Sequence, residues 1–410
     1  MGDATQQPAS NRIIWAMVLL LGLAILLNYV DRGTLGVAGP LIRADLGLSP
    51  AVFGMAASAF FWVYAPVQLG IGWLVDRVST TRLLALGLAL WGLATIATAA
   101  VQGLALLLAL RLLLALGESV AFPAAYKLIA VHVPVPSQAR AVSVVSMGLA
   151  LGPVVGTLGG GLLQAAFGWR PMFLVMGAAT LLWLLPWLLV MRRLPQVPLA
   201  PPRRDDGSEA GLFSVMRQPA FWMNTAYQFG WSYGLYFLIS WLPSWLVEAR
   251  GYSLADMAWV ASLVYVAQAA AAFVAGRLGT RSLRGSPAAM QRLLLVAGAL
   301  MEGLGIIALL LAPPGPALLA ALALAGAGIG CGHVAFVVAM QIYAGPQMIG
   351  RWSGFQNAIA NSAGIASPLL AGWLVGATGS YASAFVLAAG LSGVSLLLAL
   401  LLPRIRPLAW

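Results

Sequence analysis

The sequence predicts an all-α membrane protein of twelve transmembrane helices in two pseudo-symmetric six-helix bundles. Three observations carry that expectation. Of 410 residues, 61% are hydrophobic and 8% charged, against about 25% charged in soluble domains. Apolar runs long enough to span a bilayer core, about 20 residues, recur along the chain between charges, glycines and prolines. Midway lies a polar, proline-broken stretch unsuited to crossing a membrane.

In order, the first six spans are expected near residues 13–38, 51–75, 83–101, 104–131, 140–166 and 171–191. The second six are expected near 220–247, 256–276, 292–312, 315–342, 352–377 and 381–402. The run from Ile13 is too long for a signal-peptide core and lacks a small-residue exit, so it is expected to stay in the mature protein. Residues 1–191 then form an N-terminal bundle and 220–410 a C-terminal one. Residues 192–219 form a cytoplasmic linker holding Arg192, Arg193, Arg203, Arg204, Asp205, Asp206 and Glu209 among Pro195, Pro198, Pro201 and Pro202. The halves echo each other: span five ends in Phe167-Gly168-Trp169-Arg170 and span eleven in Thr378-Gly379-Ser380-Tyr381. Two similar halves around a midplane site suit alternating access.

With the N-terminus inside, 17 of the 22 basic residues fall in inner loops and tails, 3 (Arg43, Arg170, Arg250) in outer loops, and Arg32 and Arg111 at membrane depth. The positive-inside rule therefore puts both termini in the cytoplasm, and a multi-pass protein of a bacterial inner membrane is expected. It also accounts for the net charge of +11 without nucleic acid, because the basic residues are scattered between apolar runs.

An acid and a base, Asp31 and Arg32, sit inside the first apolar segment, where ionisable groups are costly and usually functional. Span four adds Arg111 and Glu118, seven residues apart, hence nearly on one helical face and about 10 Å apart along the axis. Both can line a cavity, or Arg111 can serve as a structural charge pair between helices. A carboxyl group withdrawn from water can exchange a proton near neutral pH, which makes Asp31 and Glu118 the candidate proton carriers. Arg32 offers a planar, permanently charged fork matched to a substrate carboxylate. Glu302 in span nine is expected to have a packing or interfacial role. His132 reads as a loop residue and His333 as a packed neutral imidazole. One cysteine, Cys331, and two histidines leave no metal-ligand set, no disulfide and no catalytic constellation. No enzyme activity and no cofactor beyond the coupling proton are expected.

The turn after span two reads Gly72-Trp73-Leu74-Val75-Asp76-Arg77-Val78-Ser79-Thr80-Thr81-Arg82. It resembles the major facilitator superfamily signature Gly-x-Leu-x-Asp-Arg-x-Gly-x-Arg, with Ser79 in place of the second glycine. The resemblance implies the major facilitator fold and makes Asp76, Arg77 and Arg82 a conformational latch. A second-half copy, Gly276-Arg277-Leu278-Gly279-Thr280-Arg281, has Thr280 where the aspartate belongs, so any second latch is weakened. Further stretches are similar to the anion:cation symporter branch: Asn28-Tyr29-Val30-Asp31-Arg32, Ser58 to Tyr64 with Gln68, Arg111 to Glu118 with Phe122-Pro123, Tyr236-Phe237 with Trp241-Leu242-Pro243, and Gly354 to Asn357 with Asn361 and Pro368. That resemblance implies that Tyr29, Tyr64, Gln228, Asn357 and Asn361 face the cavity as partners for substrate oxygens.

These readings converge on a monomeric, proton-coupled symporter importing a small organic anion such as a sugar acid or monocarboxylate. Two alternatives stand beside it. One is a proton-driven exporter, because Gly152-Pro153-Val154-Val155-Gly156 partly resembles the antiporter motif, with Thr157 where that motif has glycine. The other is a transporter-like ligand sensor. Glycines 148, 152, 156 and 160 read as a helix-packing stripe.

Overall fold

The computed structural model describes residues 11–194, 214–279, 287–406 and 408. Among them are thirteen helices of 12 residues or more. The N-terminal half holds α1 (Asn11–Leu46), α2 (Pro50–Arg77), α3 (Thr80–Thr98), α4 (Leu104–Glu118), α5 (Ala121–His132), α6 (Val135–Phe167) and α7 (Trp169–Met191). The C-terminal half holds α8 (Pro219–Glu248), α9 (Leu254–Gly279), α10 (Pro287–Leu311), α11 (Pro316–Ala360), α12 (Ala363–Thr378) and α13 (Ala382–Leu401).

These helices make twelve crossings. The fourth is split into α4 and α5 by a turn at Ser119–Val120. The tenth and eleventh share α11, which folds over at Gly345, where φ is +60°. A side chain is strained in that left-handed region and glycine is not. Eleven crossings are long and apolar enough to span a bilayer by themselves. The other is α8, 30 residues long but studded with Asn224, Gln228, Ser232 and Ser240. Of the expected linker, residues 195–213 lie outside the described set.

One span differs from expectation for a reason the packing supplies. The first does not stop at residue 38: α1 runs through Pro40 to Leu46. Proline frees backbone acceptors in the preceding turn, and membrane helices tolerate this when neighbours supply donors. Gln164 of α6 donates to the Val37 carbonyl at 2.8 Å. The fifth span begins at Arg140 as expected, inside a helix, α6, that starts earlier at Val135 with Pro136 in its first turn, where a missing N–H costs nothing.

The glycine stripe of α6 fixes α1. A Cβ at Gly148, Gly152 or Gly156 would strike the backbone of α1 at Gly22, Leu26 and Val30, while Gly160 faces the softer Met172 and Met176. The two helices therefore touch backbone to backbone, as small-residue faces allow. That contact pins α1 just before Asp31.

The halves meet through α1 on α8, α2 on α12 and α6 on α9. Gly36 packs on the Ile239 carbonyl, Gly54 on the Pro368 carbonyl, Gly372 on the Pro50 carbonyl and Gly161 on Ala258. All four contacts lie toward the face remote from the linker. Arg43 of α1 seals that edge, donating to both carboxylate oxygens of Glu248 in α8 at 2.8 and 2.9 Å, while the Tyr381 hydroxyl donates to the same carboxylate at 2.8 Å. Toward the linker, in contrast, the centre-facing Tyr126 and Asn357 are exposed.

Candidate functional site

Asp31 and Arg32 of α1 are buried, as are Arg111 and Glu118 of α4. Arg32 Nε donates to Glu118 Oε2 at 3.0 Å, tying α1 to α4 across 86 positions of sequence. Three aromatic rings wrap the Arg32 guanidinium, with centroids 4.8 Å (Tyr29), 5.2 Å (Phe60) and 4.4 Å (Tyr64) from its carbon. Such contacts contribute more when desolvated, about 2 kcal/mol each at the upper end. Arg111 lies over Phe60 as well, at 5.3 Å, so one ring serves two cations. Asp31 lies 3.5 Å from Thr95 Oγ1 of α3, whose hydroxyl is nearer the Trp91 carbonyl at 3.0 Å, and forms no ion pair with Arg32 beside it. Neighbouring helical residues point about 100° apart, which explains why adjacent opposite charges remain separate.

This enclosure holds two acids and two bases. With all four ionised it is neutral; each proton added to a carboxylate leaves one uncompensated guanidinium charge for an anion. The Arg111 charge bears on both carboxylates.

Across the junction the C-terminal half presents amides. Asn224 of α8 donates to Gln356 Oε1 at 3.1 Å, Gln356 donates to Gln228 Oε1 at 2.8 Å, and Gln228 donates to Asn357 Oδ1 at 3.0 Å. Trp352 Nε1 anchors the row on Gln356 Oε1 at 2.6 Å. Tyr236 donates to Asn361 Oδ1 at 2.9 Å, and its ring meets Phe61 of α2 at 4.5 Å between centroids, so it bridges the halves. A small cavity opens between the two guanidinium groups and α8, lined by Arg32, Arg111, Phe60, Phe61, Tyr236 and Ser240 among others; Tyr29, Tyr64, Gln228, Asn357 and Asn361 are not among its lining residues.

The structure thus gathers Asp31, Arg32, Tyr29, Tyr64, Arg111 and Glu118 on one side and Gln228, Asn357 and Asn361 on the other. Glu118 engages only the Nε of Arg32, and the buried Nη2 of that guanidinium has no hydrogen-bond partner among the described residues. The ion pair links α1 to α4 through Glu118, while Arg111, seven residues away on the same helix, is too distant along the axis to share it. Sequence reasoning missed Gln356, Tyr236, Phe60 and Thr95 as site residues. Gln356 carries the same signal as Asn357 beside it, an amide at membrane depth; Tyr236 and Phe60 stood in family-like stretches; Thr95 carries no signal in one sequence.

Of the expected latch, Arg77 and Arg82 are exposed at the linker-side end of α2 and the start of α3, and the Asp76 side chain lies outside the described set. Lys127 of α5 also reaches this corner, donating to the Val75 carbonyl at 2.6 Å near the C-terminal end of α2, where a cation is favoured. Thr280 and Arg281 of the second copy lie outside the described residues. His333 stacks on Trp231, centroids 5.2 Å apart, and meets Phe336 at 5.4 Å. His132 ends α5 instead of standing in a loop.

The Major Facilitator Superfamily profile matches residues 21–365 and 250–410. The chain belongs to the Major Facilitator Superfamily. Among the relatives of this facilitator are the hexuronate transporter of Bacillus subtilis (strain 168), 28% identical over 92% of this chain and 91% of that protein, and the probable sulfoacetate transporter SauU of Cupriavidus necator, 28% identical over 95% and 93%. The probable galactarate/D-glucarate transporter GudP of Bacillus subtilis (strain 168) is 27% identical over 97% and 94%. By name these relatives are transporters of sugar acids and of sulfoacetate. A bacterial homolog of the human lysosomal transporter Spinster, in an inward-facing and occupied conformation, shares the fold with a TM-score of 0.76 at 20% identity, over 96% of this chain and 95% of that one. The facilitator is a multi-pass membrane transporter and not an enzyme.

Proposed function

We propose that this facilitator imports a small organic anion, a sugar acid or monocarboxylate, together with protons by alternating access. The Arg32–Glu118 ion pair inside its aromatic cage carries the reading, because it puts an exchangeable carboxylate on the one guanidinium that borders the cavity from α1. A substrate carboxylate competes with Glu118 for that guanidinium. Glu118, losing its donor in a site withdrawn from water, can no longer remain ionised cheaply and takes a proton. Asp31, weakly held by Thr95, is the second carrier. The amide row of α8 and α11 supplies donors and acceptors for hydroxyl groups or a second acidic group. Relatives that carry hexuronate, sulfoacetate and galactarate or glucarate support an anionic cargo.

Energy favours the coupling. An anion entering a negative-inside cell is opposed by about 2.3 kcal/mol per charge per 100 mV, so one proton cancels that term for a monoanion and two reverse it. With both termini and the linker in the cytoplasm of a bacterial inner membrane, the sealed Arg43–Glu248 edge faces outward and the exposed Asn357 inward, an inward-facing state. Gly152 and Gly156 of the partial antiporter motif seat α6 on α1.

The deciding experiment is uptake of labelled hexuronates, aldarates and short carboxylates into proteoliposomes, with and without an inward proton gradient. One acid should accumulate against its gradient only when protons flow inward. Expulsion of a neutral or cationic compound on gradient reversal, with no anion moved, would overturn the proposal.

A further inference from the structure

We propose that Glu302 is an additional proton-carrying site of the transport cycle, built into the C-terminal half apart from the charged cluster. This rests on the proton-coupled reading above. Glu302 lies deep in α10, 1% exposed, and among the described residues neither carboxyl oxygen has a hydrogen-bond partner. It is therefore buried rather than interfacial.

The niche is made of backbone. Oε1 rests where a Gly234 side chain would stand, so that a Cβ there would collide with it, and Gly328 of α11 presses against the Glu302 main chain. The Ile306 methyl closes the next turn. The titratable group shown to face the niche is Tyr227 from α8, with Cys331 of α11 also near that tyrosine; α13 contributes Ser392, whose hydroxyl is spent on the Ala388 carbonyl, and α9 contributes none among the described residues. Tyr227 gives its hydroxyl to the Leu295 carbonyl at 2.9 Å and is not free to hold a carboxylate. An ionised carboxylate there would have exchanged its hydration for nothing, at a cost of several kcal/mol. Glu302 is thus carried as the neutral acid in this state.

The niche also has a way to open. Its wall, Gly234, belongs to α8, the helix that meets α1 across the halves. Pro243 in α8 lacks the N–H that would bond the Ile239 carbonyl, and that same carbonyl seats on Gly36 of α1. Helices bend where such a bond is missing. Opening the sealed face withdraws Gly36 from Ile239, lets α8 flex, and uncovers Oε1 to water. The step is a bare acid–base exchange: a proton from water bonds a Glu302 carboxylate oxygen while the sealed face is open, is held enclosed in the inward-facing state, and returns to water when the niche is next uncovered, with no change in electrons.

The test uses Glu302→Gln in proteoliposomes with labelled hexuronate, in two assays. In exchange, substrate is present on both sides at equal pH; in accumulation, a proton gradient drives uptake. The expected result is exchange within about twofold of the unmodified protein and gradient-driven accumulation at least fivefold lower. Unchanged accumulation, or loss of exchange and accumulation together, overturns the proposal. Should the glutamine variant fail to fold, Glu302→Asp keeps an acid but withdraws it from Gly234: a shifted pH profile of accumulation supports the proposal, and an unmoved profile overturns it. If the unmodified protein itself ignores the proton gradient, the coupling in the proposed function fails instead.

Discussion

In the N-terminal half Asp31, Arg32, Arg111 and Glu118 bury four ionisable groups in one enclosure, whereas the C-terminal half faces them with Asn224, Gln228, Gln356 and Asn357 joined as a neutral row. The two kinds of polarity respond differently to loss. Removing one member of a buried ion pair strands its partner and costs about 3–5 kcal/mol. An interhelical amide bond in a membrane protein contributes only about 0.6 kcal/mol on average, because neighbouring groups substitute. The charged half is therefore suited to registering the presence of an anion, and the amide half to adapting around its shape.

Three perturbations probe that division, in falling order of effect. Arg32→Ala should lower substrate affinity at least 100-fold in calorimetric binding to the purified protein, since it removes the anion partner and orphans Glu118. Pairing Arg32→Gln with Glu118→Gln should restore thermal stability without restoring binding; if binding returns as well, the charges do not distinguish the halves. Next, Glu118→Gln removes a proton acceptor. Binding should strengthen as pH falls through about 8 to 5, because substrate and proton enter together, and the variant should flatten that slope. A slope equal to that of the unmodified protein would move the coupling elsewhere. The smallest effect belongs to the amide row: Gln228→Ala should raise KM by about two- to fivefold, consistent with roughly 0.5–1 kcal/mol, and leave the pH profile unmoved. A displaced profile would show that the amides share in proton coupling.

Much of this architecture was legible because membrane spans are written in apolarity, and the twelve crossings fall close to the runs read from the sequence. The misses have local causes. The break at Ser119–Val120 lies within a continuous apolar run, and the Gln164 donor that meets the Val37 carbonyl in the turn before Pro40 stands 124 positions from that proline, a separation no window can see. Within the site, Asp31, Arg32, Arg111 and Glu118 stood out because charge is rare at such depth. Which base holds Glu118 did not, since that depends on how α6 seats α1 against α4. Of the three rings that cage Arg32, Tyr29 and Tyr64 were named from the sequence, whereas Phe60 was not singled out within its stretch of α2.

The composition of α8 has a consequence for how the protein is made. Machinery that threads nascent chains into the bilayer admits segments by their summed apolarity, and central polar side chains weigh against entry. Asn224 and Gln228 must wait for Gln356 and Asn357, which emerge about 130 residues later, before their amides are satisfied. The seventh crossing can settle only when the eleventh has been synthesised, so biogenesis of the C-terminal half is concerted, and a chain truncated before α11 should leave α8 stranded at the membrane surface.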